Sequence, residues 1–293
     1  MLRIGGLIRY IMYRMAVDLH LHSTASDGSV PPEELMELAA SHRLATVALT
    51  DHDTLDGIPA ARKAAERVGI DLIPGTELSL EYDGGMHLVV LWLEPGPGPL
   101  QDRLEWLRAG RDERNLAILE ALARAGIEIT PEELAEQAGG GTVGRPHIAA
   151  LMVEKSYVTS ISAAFDLWLA RGRPAYVERP RLSPMEAIAL ARTSGAVPVL
   201  AHPHTLGITT AADMRAVLHE LVDAGLVGLE AYYAGYHRHE REGYADLARR
   251  FGLVASGGSD FHGDYKPGLQ PGVGYGDLYI PSHVVEQLRE RAA

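Results

Sequence analysis

Seven short apolar runs, separated by helical patterns, constrain this chain more than any other feature. They lie at 16–22 (AVDLHLH), 46–53 (TVALTDHD), 71–80 (DLIPGTELSL), 86–93 (MHLVVLWL), 197–203 (VPVLAHP), 225–233 (GLVGLEAYY) and 253–262 (LVASGGSDFH). Most are continuously apolar and do not alternate with polar residues, the pattern of parallel strands covered on both faces. Between them, Pro31-Pro32-Glu33-Glu34 opens a helix with proline and acids in its first turn. Ser183-Pro184-Met185-Glu186 reads as a capping box with proline at its first position. Such alternation predicts an α/β fold, with a closed barrel as its topology.

The rhythm breaks between the fourth and fifth runs. From about residue 97 to 180 the patterns are helical, over 100–125, 131–138, 145–154 and 160–170, with a single strand candidate at 174–178. A Pro/Gly linker at 94–99 leads into this stretch. The expected organisation is an N-terminal extension at 1–15, a barrel built from 16–96 and 181–293, and a helical insertion at 97–180. True initiation is expected near Met15, because the first residues lack the long apolar core and cleavage site of a signal peptide.

The chain has 293 residues and no cysteine, which removes disulfides, thiolate metal sites and cysteine nucleophiles together. A reducing cytoplasm is the expected location. No apolar run reaches the roughly 18 residues of a membrane helix. The formal charge of −12 argues against stable binding of duplex nucleic acid. A small anionic substrate remains open, because bound cations invert the local field.

The residues with chemistry gather at run ends. His20 and His22 are alternate residues of one strand and project together. Asp27 follows in Ser26-Asp27-Gly28, and the second run ends in Thr50-Asp51-His52-Asp53. Glu77 follows Pro74-Gly75, His87 begins the fourth run, and His202 ends the fifth in Ala201-His202-Pro203-His204. The last run ends in Ser259-Asp260-Phe261-His262. In parallel α/β folds such ends converge on one mouth. Nitrogen and oxygen ligands without sulfur suit Mn²⁺, Fe²⁺ or Zn²⁺. His20, His22, Asp27, His52, Glu77, His87, His202, Asp260 and His262 are too many for one ion and enough for two or three.

These motifs resemble those of the PHP (polymerase and histidinol phosphatase) superfamily. The resemblance runs over nearly the whole chain from Ala16. It implies a distorted (β/α)7 TIM-like barrel with a trinuclear site and phosphoesterase activity driven by a metal-activated hydroxide. Carried over, His20, His22, Glu77 and Asp260 would hold one ion. Glu77, His87 and His202 would hold a second, and Asp27, His52 and His262 a third. Gly144-Arg145-Pro146-His147 and the segment 171–177 resemble the branch acting on nucleoside 3′,5′-bisphosphates, 5′-AMP or short oligoribonucleotides. A histidinol-phosphate phosphatase and a non-catalytic scaffold are the rival expectations.

Arg145, His147 and Arg173 are the candidate substrate contacts, since arginine grips phosphate bidentately, and Arg181 is a weaker one. His204 and His237 are candidates for proton transfer. Asp51 and Asp53 are expected to orient ligands or cap the next helix. Gly139-Gly140-Gly141 reads as a helix exit and not as a phosphate loop.

Overall fold

The computed structural model describes residues 16–139 and 141–292. The expected extension at 1–15, the start at Met15 and Gly140 lie outside these residues. Seven strands form one sheet in sequence order: β1 (Val17–Leu21), β2 (Thr46–Leu49), β3 (Asp71–Ser79), β4 (His87–Leu91), β5 (Val197–Ala201), β6 (Gly228–Tyr233) and β7 (Val254–Gly258). Beyond the end of β7, Asp260 N donates to His20 O at 2.9 Å and His22 N donates to Phe261 O at 3.0 Å, nearly closing the barrel. The closing strands approach tightly, since a Cβ on Gly258 would fall 2.1 Å from the Cβ of His20.

One strand departs from the parallel arrangement of the others. β4 runs antiparallel to both β3 and β5. Only residues 80–86 join β3 to β4, and a parallel crossover needs a dozen or more. The reversal puts the first residue of β4 at the site: His87 pairs with Ser79 and with Ala201. His87 therefore reaches the same mouth from an N-terminal strand end, where its neighbours use C-terminal ends.

The reversal also sets where the helical segment starts. The chain leaves β4 at the end remote from the mouth and enters α3 (Pro99–Arg124), after α1 (Pro32–Ser41) and α2 (Ile58–Val68). At 1.5 Å per residue, a helix of 26 residues spans roughly 39 Å. Its early residues Leu100, Leu104 and Leu107 belong to the barrel core. Its late residues Ile118, Leu119 and Leu122 belong to a second core with Ile148, Met152 and Leu169. That second core is completed by α4 (Pro131–Gln137), α5 (Arg145–Glu154) and α6 (Ile161–Ala164), which runs on into a π-helical turn at Phe165–Leu169. The candidate strand at 174–178 is irregular, with no sheet partner. Four helices follow: α7 (Pro184–Thr193), α8 (Ala211–Asp223), α9 (Arg238–Arg250) and α10 (His283–Arg289).

Local signals account for several boundaries. Ser183 Oγ accepts from Glu186 N at 3.3 Å, with Pro184 following. The reciprocal half of the expected box is replaced, because Glu186 pairs with Arg103 at 2.8 Å. A full capping box occurs at Thr130 and Glu133 instead. Gly141 packs on the loop after β1, where a Cβ would fall 1.8 Å from Thr24 O, and Thr142 N donates to Ala25 O at 2.8 Å. Gly141 and Thr142 thus dock the exit of α4 against the barrel. Among the described residues no helix is long and apolar enough to cross a membrane.

Candidate metal centre and substrate cavity

The alternation of β1 puts Val17, Leu19 and Leu21 in the apolar core and Asp18, His20 and His22 on the other face. Around His20 and His22 the remaining ends bring in Asp27, His52, Glu77, His87, His202, Asp260 and His262. Glu77 stands at the centre and divides its oxygens. Oε1 lies 2.9 Å from both His87 Nδ1 and His202 Nε2. Oε2 lies 3.2 Å from His20 Nε2, 3.2 Å from His22 Nε2 and 3.4 Å from His52 Nε2. Asp260 Oδ1 approaches His20, His22 and His262 at 3.6, 3.5 and 3.3 Å. Asp27 approaches His22, His52 and His262 at 3.7, 3.8 and 3.4 Å.

Three sets of ligand atoms converge within 4.8 Å: His22, Asp27, His52 and His262; His20, His22, Glu77 and Asp260; and His52, Glu77 and His87. His20 Nε2 and both ring nitrogens of His22 are buried and lack a hydrogen-bond partner among the described residues. Orphaned imidazole nitrogens facing carboxylates are what a divalent cation satisfies, so the donor set fits metal ions.

Electrostatics agree with a site built for positive charge. Burial opposes protonation of His20, yet Glu77, Glu230 and Asp260 hold it well above the ordinary imidazole range. His22 is likewise raised to about 9, the pull of Asp260 and Glu77 outweighing burial. Burial pushes Asp27, Glu77 and Asp260 toward neutrality, and the surrounding cationic groups reverse this and hold each well below the usual carboxylate range. His52 moves the other way, to about 3, because burial dominates.

Supporting contacts orient these ligands. His20 Nδ1 donates to Glu230 Oε1 at 2.9 Å, which leaves Nε2 as its free donor atom, and His202 N donates to Glu230 Oε2 at 2.6 Å. Glu230 was not singled out from the sequence; an acid inside the apolar run of β6 was its only signal. Asp51 accepts from Ser23 N, Ser23 Oγ and Ser26 Oγ at 2.7, 2.7 and 2.6 Å and so shapes the loop that carries Asp27. Tyr233 OH donates to Asp260 Oδ2 at 3.0 Å, and Lys266 Nζ binds the same oxygen. Asp53, His202 and Asp260 have φ of 55°, 22° and 56°, a strained left-handed backbone of the kind that gathers at functional sites.

Asp53 caps no helix, since α2 begins after Gly57. It is fully buried and pairs with Arg111 from α3 and, at 3.0 Å, with Arg179. These arginines belong to a cavity of about 460 Å³ that opens beside Asp27, His52 and His87. Arg145, Arg171 and Arg181 also line it. Arg145 donates to Leu169 O at 2.9 Å, with its guanidinium carbon 5.6 and 5.7 Å from the ring centroids of Phe165 and Tyr176. Arg111, Arg114 and Arg179 carried no distinguishing sequence signal, because arginines on a helix or in a loop read as solvated.

The other candidates separate. His147 is buried and accepts from Gly144 N at 3.0 Å, which fixes the start of α5. Arg173 is exposed and does not line the cavity. His204 is exposed beside His202, with ring centroids 6.1 Å apart, and its Nδ1 lies 3.0 Å from Tyr236 OH. His237 is exposed at the start of α9, its backbone N donating to Glu240 and its ring stacked on His239. No described contact ties His237 to the cluster.

A barrel mouth of imidazoles around a shared carboxylate, beside a cationic cavity, defines a class, and comparison with known proteins agrees. Residues 18–107 match the PHP domain model. The chain is 36% identical over 261 residues to a 5′-3′ exoribonuclease, Rnm, of Salmonella typhimurium, covering 88% of this chain and 89% of that one. It is 32% identical over 258 residues to a 3′,5′-nucleoside bisphosphate phosphatase of Chromobacterium violaceum, covering 87% and 90%. A solved structure from Bifidobacterium adolescentis, assigned as a metal-dependent phosphoesterase, matches 95% of this chain and 97% of its own with a TM-score of 0.85 and 29% identity. The chain belongs to the PHP family of metal-dependent phosphoesterases.

Proposed function

We propose that this phosphoesterase hydrolyses phosphate esters of nucleotides: nucleoside 3′,5′-bisphosphates, 5′-AMP or the 5′ ends of short oligoribonucleotides. The observation that carries this is the junction of the ligand cluster with a cavity lined by arginines. Every such nucleotide offers a phosphate for the first, and a bisphosphate or an oligoribonucleotide offers a further anionic group for the second. The names of the relatives from Salmonella typhimurium and Chromobacterium violaceum fall in the same substrate class.

In this reading two or three divalent ions, Mn²⁺, Fe²⁺ or Zn²⁺, are held by the nine ligands. His20, His22, Glu77 and Asp260 form one set, Glu77, His87 and His202 a second, and Asp27, His52 and His262 a third. Such ions supply Lewis acidity and an acidified water near neutral pH. The chain's own part is to orient. Glu230 fixes the tautomer of His20, and Arg145 reaches the non-reacting part of the substrate from the segment 97–180. His204 protonates a leaving oxygen in this reading, and no contact among the described residues supports a part for His237 or Arg173. The protein is assigned to the cytoplasm, with small phosphorylated substrates and no duplex partner.

The test is a phosphate-release screen of metal-loaded protein on adenosine 3′,5′-bisphosphate, 5′-AMP, 5′-phosphorylated short oligoribonucleotides, histidinol phosphate and p-nitrophenyl phosphate. Preference for a nucleotide supports the reading. Preference for histidinol phosphate, or turnover of p-nitrophenyl phosphate alone, overturns it.

A further inference from the structure

The six cavity arginines are not equivalent. Arg111 and Arg179 share the carboxylate of Asp53, Arg171 pairs with Asp83 at 3.4 Å, and Arg181 with Glu178 at 3.6 Å. Arg145 is held by the Leu169 carbonyl and its two aromatic neighbours. Arg114 is different. It is 6% exposed, lines the cavity, and makes no ion pair or hydrogen bond among the described residues; its Nε and Nη2 are buried and unpartnered.

A guanidinium in this position is costly. Burial and the neighbouring Arg111, Arg145 and Arg179 all press Arg114 to give up its charge. Arginine does not deprotonate under ordinary conditions, so the charge stays and lacks a counterion. An unpaired buried charge on this scale persists where an anion compensates it in the working state. Arg114 sits one helical turn beyond Arg111, which reaches Asp53 next to the ligand His52. Arg114 lines the cavity beside Asp27, His52 and His87, and its Nη1 is the guanidinium nitrogen not closed off from it, so a group on the same substrate can reach the cation there.

We propose that Arg114 is the principal receptor for a second, non-scissile phosphate of the substrate, and so a specificity-determining residue. The proposal rests on the nucleotide reading above and narrows it to substrates with two separated phosphates: a nucleoside bisphosphate, or an oligonucleotide whose next phosphodiester takes this place. A guanidinium with no partner of its own can give such a group charge-assisted N–H bonds.

The experiment compares kcat/KM for adenosine 3′,5′-bisphosphate and for 5′-AMP in the metal-loaded protein and in Arg114→Met, which keeps the stem and removes the charge. Wild type should favour the bisphosphate. The variant should lower the ratio of the two values by about tenfold or more, mainly through KM for the bisphosphate. Its Tm should be equal or higher, because an uncompensated buried charge is gone. Should Arg114→Met not fold, Arg114→Lys keeps the charge, loses the fork, and should lower the ratio at least threefold. An unchanged ratio in a folded variant, equal losses on both substrates, or a wild type without preference overturns the proposal. Turnover of p-nitrophenyl phosphate with neither nucleotide turned over would overturn the nucleotide reading beneath it.

Discussion

Glu77 directs its two carboxylate oxygens at different sets of imidazoles and belongs to two of the groups that could hold a metal ion, so one side chain can serve more than one cation position. Glu77→Gln keeps the shape and removes the charge. Turnover should fall at least a hundredfold, with lower metal content by elemental analysis and an unchanged far-ultraviolet spectrum; full activity would refute the shared role. Protons compete for the same site. With His22 raised to about 9, it is protonated at pH 7.5 and must lose that proton to ligate an ion. Metal uptake at pH 7.5 should therefore release about one to two protons per chain, read by calorimetry in buffers of differing ionisation enthalpy. The sign for stability follows. A raised folded value stabilises the metal-free protein below the ordinary 6.5, and that contribution is lost as pH rises through about 9. Residues of this kind were legible in the sequence because ligands must be His, Asp or Glu and must lie at strand ends. Glu230 and Arg114 were not, because their importance lies in what surrounds them, and partners 210 residues apart, as for Glu230 and His20, leave no local pattern.

Among the elements, β4 was legible as a strand, but its direction was not. Apolar content reports burial on both faces and is silent on direction, and the short 80–86 connection was the overlooked sign. The helical run in 97–180 was legible by periodicity. Its fourth helix proved to be a short α-turn passing into a π-turn, a register change that no spacing rule announces. The seam between β1 and β7 gives an element-scale prediction. Gly258→Ala would place a methyl group 2.1 Å from the Cβ of His20, so the strands must part. Overpacking of this kind costs about 1–3 kcal/mol. Tm should fall, and metal content should fall with it because His20 moves; normal metal content would separate seam from site. In α3, Leu122→Ala should cost about 2–5 kcal/mol by opening a cavity in the second core.

At the scale of the molecule, two apolar cores share one helix. The barrel core takes the start of α3 and the second core takes its end, so neither can melt without exposing the other. Calorimetry should show one unfolding transition in metal-loaded protein, and chelation should lower its midpoint without splitting it. Two separated transitions would show that the cores are independent. Charge is distributed unevenly: a chain of net charge −12 places six arginines around one cavity, a pocket that the average charge does not reveal.

Asp53 joins these scales. It follows the ligand His52, and its carboxylate holds Arg111 on the outward limb of the helical segment and Arg179 on the return limb. It works as a keystone: the arginine-lined wall of the cavity is braced, from both limbs, against one buried atom, Oδ2, beside the His/Asp/Glu cluster. A redesign of this pocket for another substrate has freedom in the surface and reach of the helices. Removing that brace would cost the new specificity its alignment with the chemistry, however well the new wall fits its ligand.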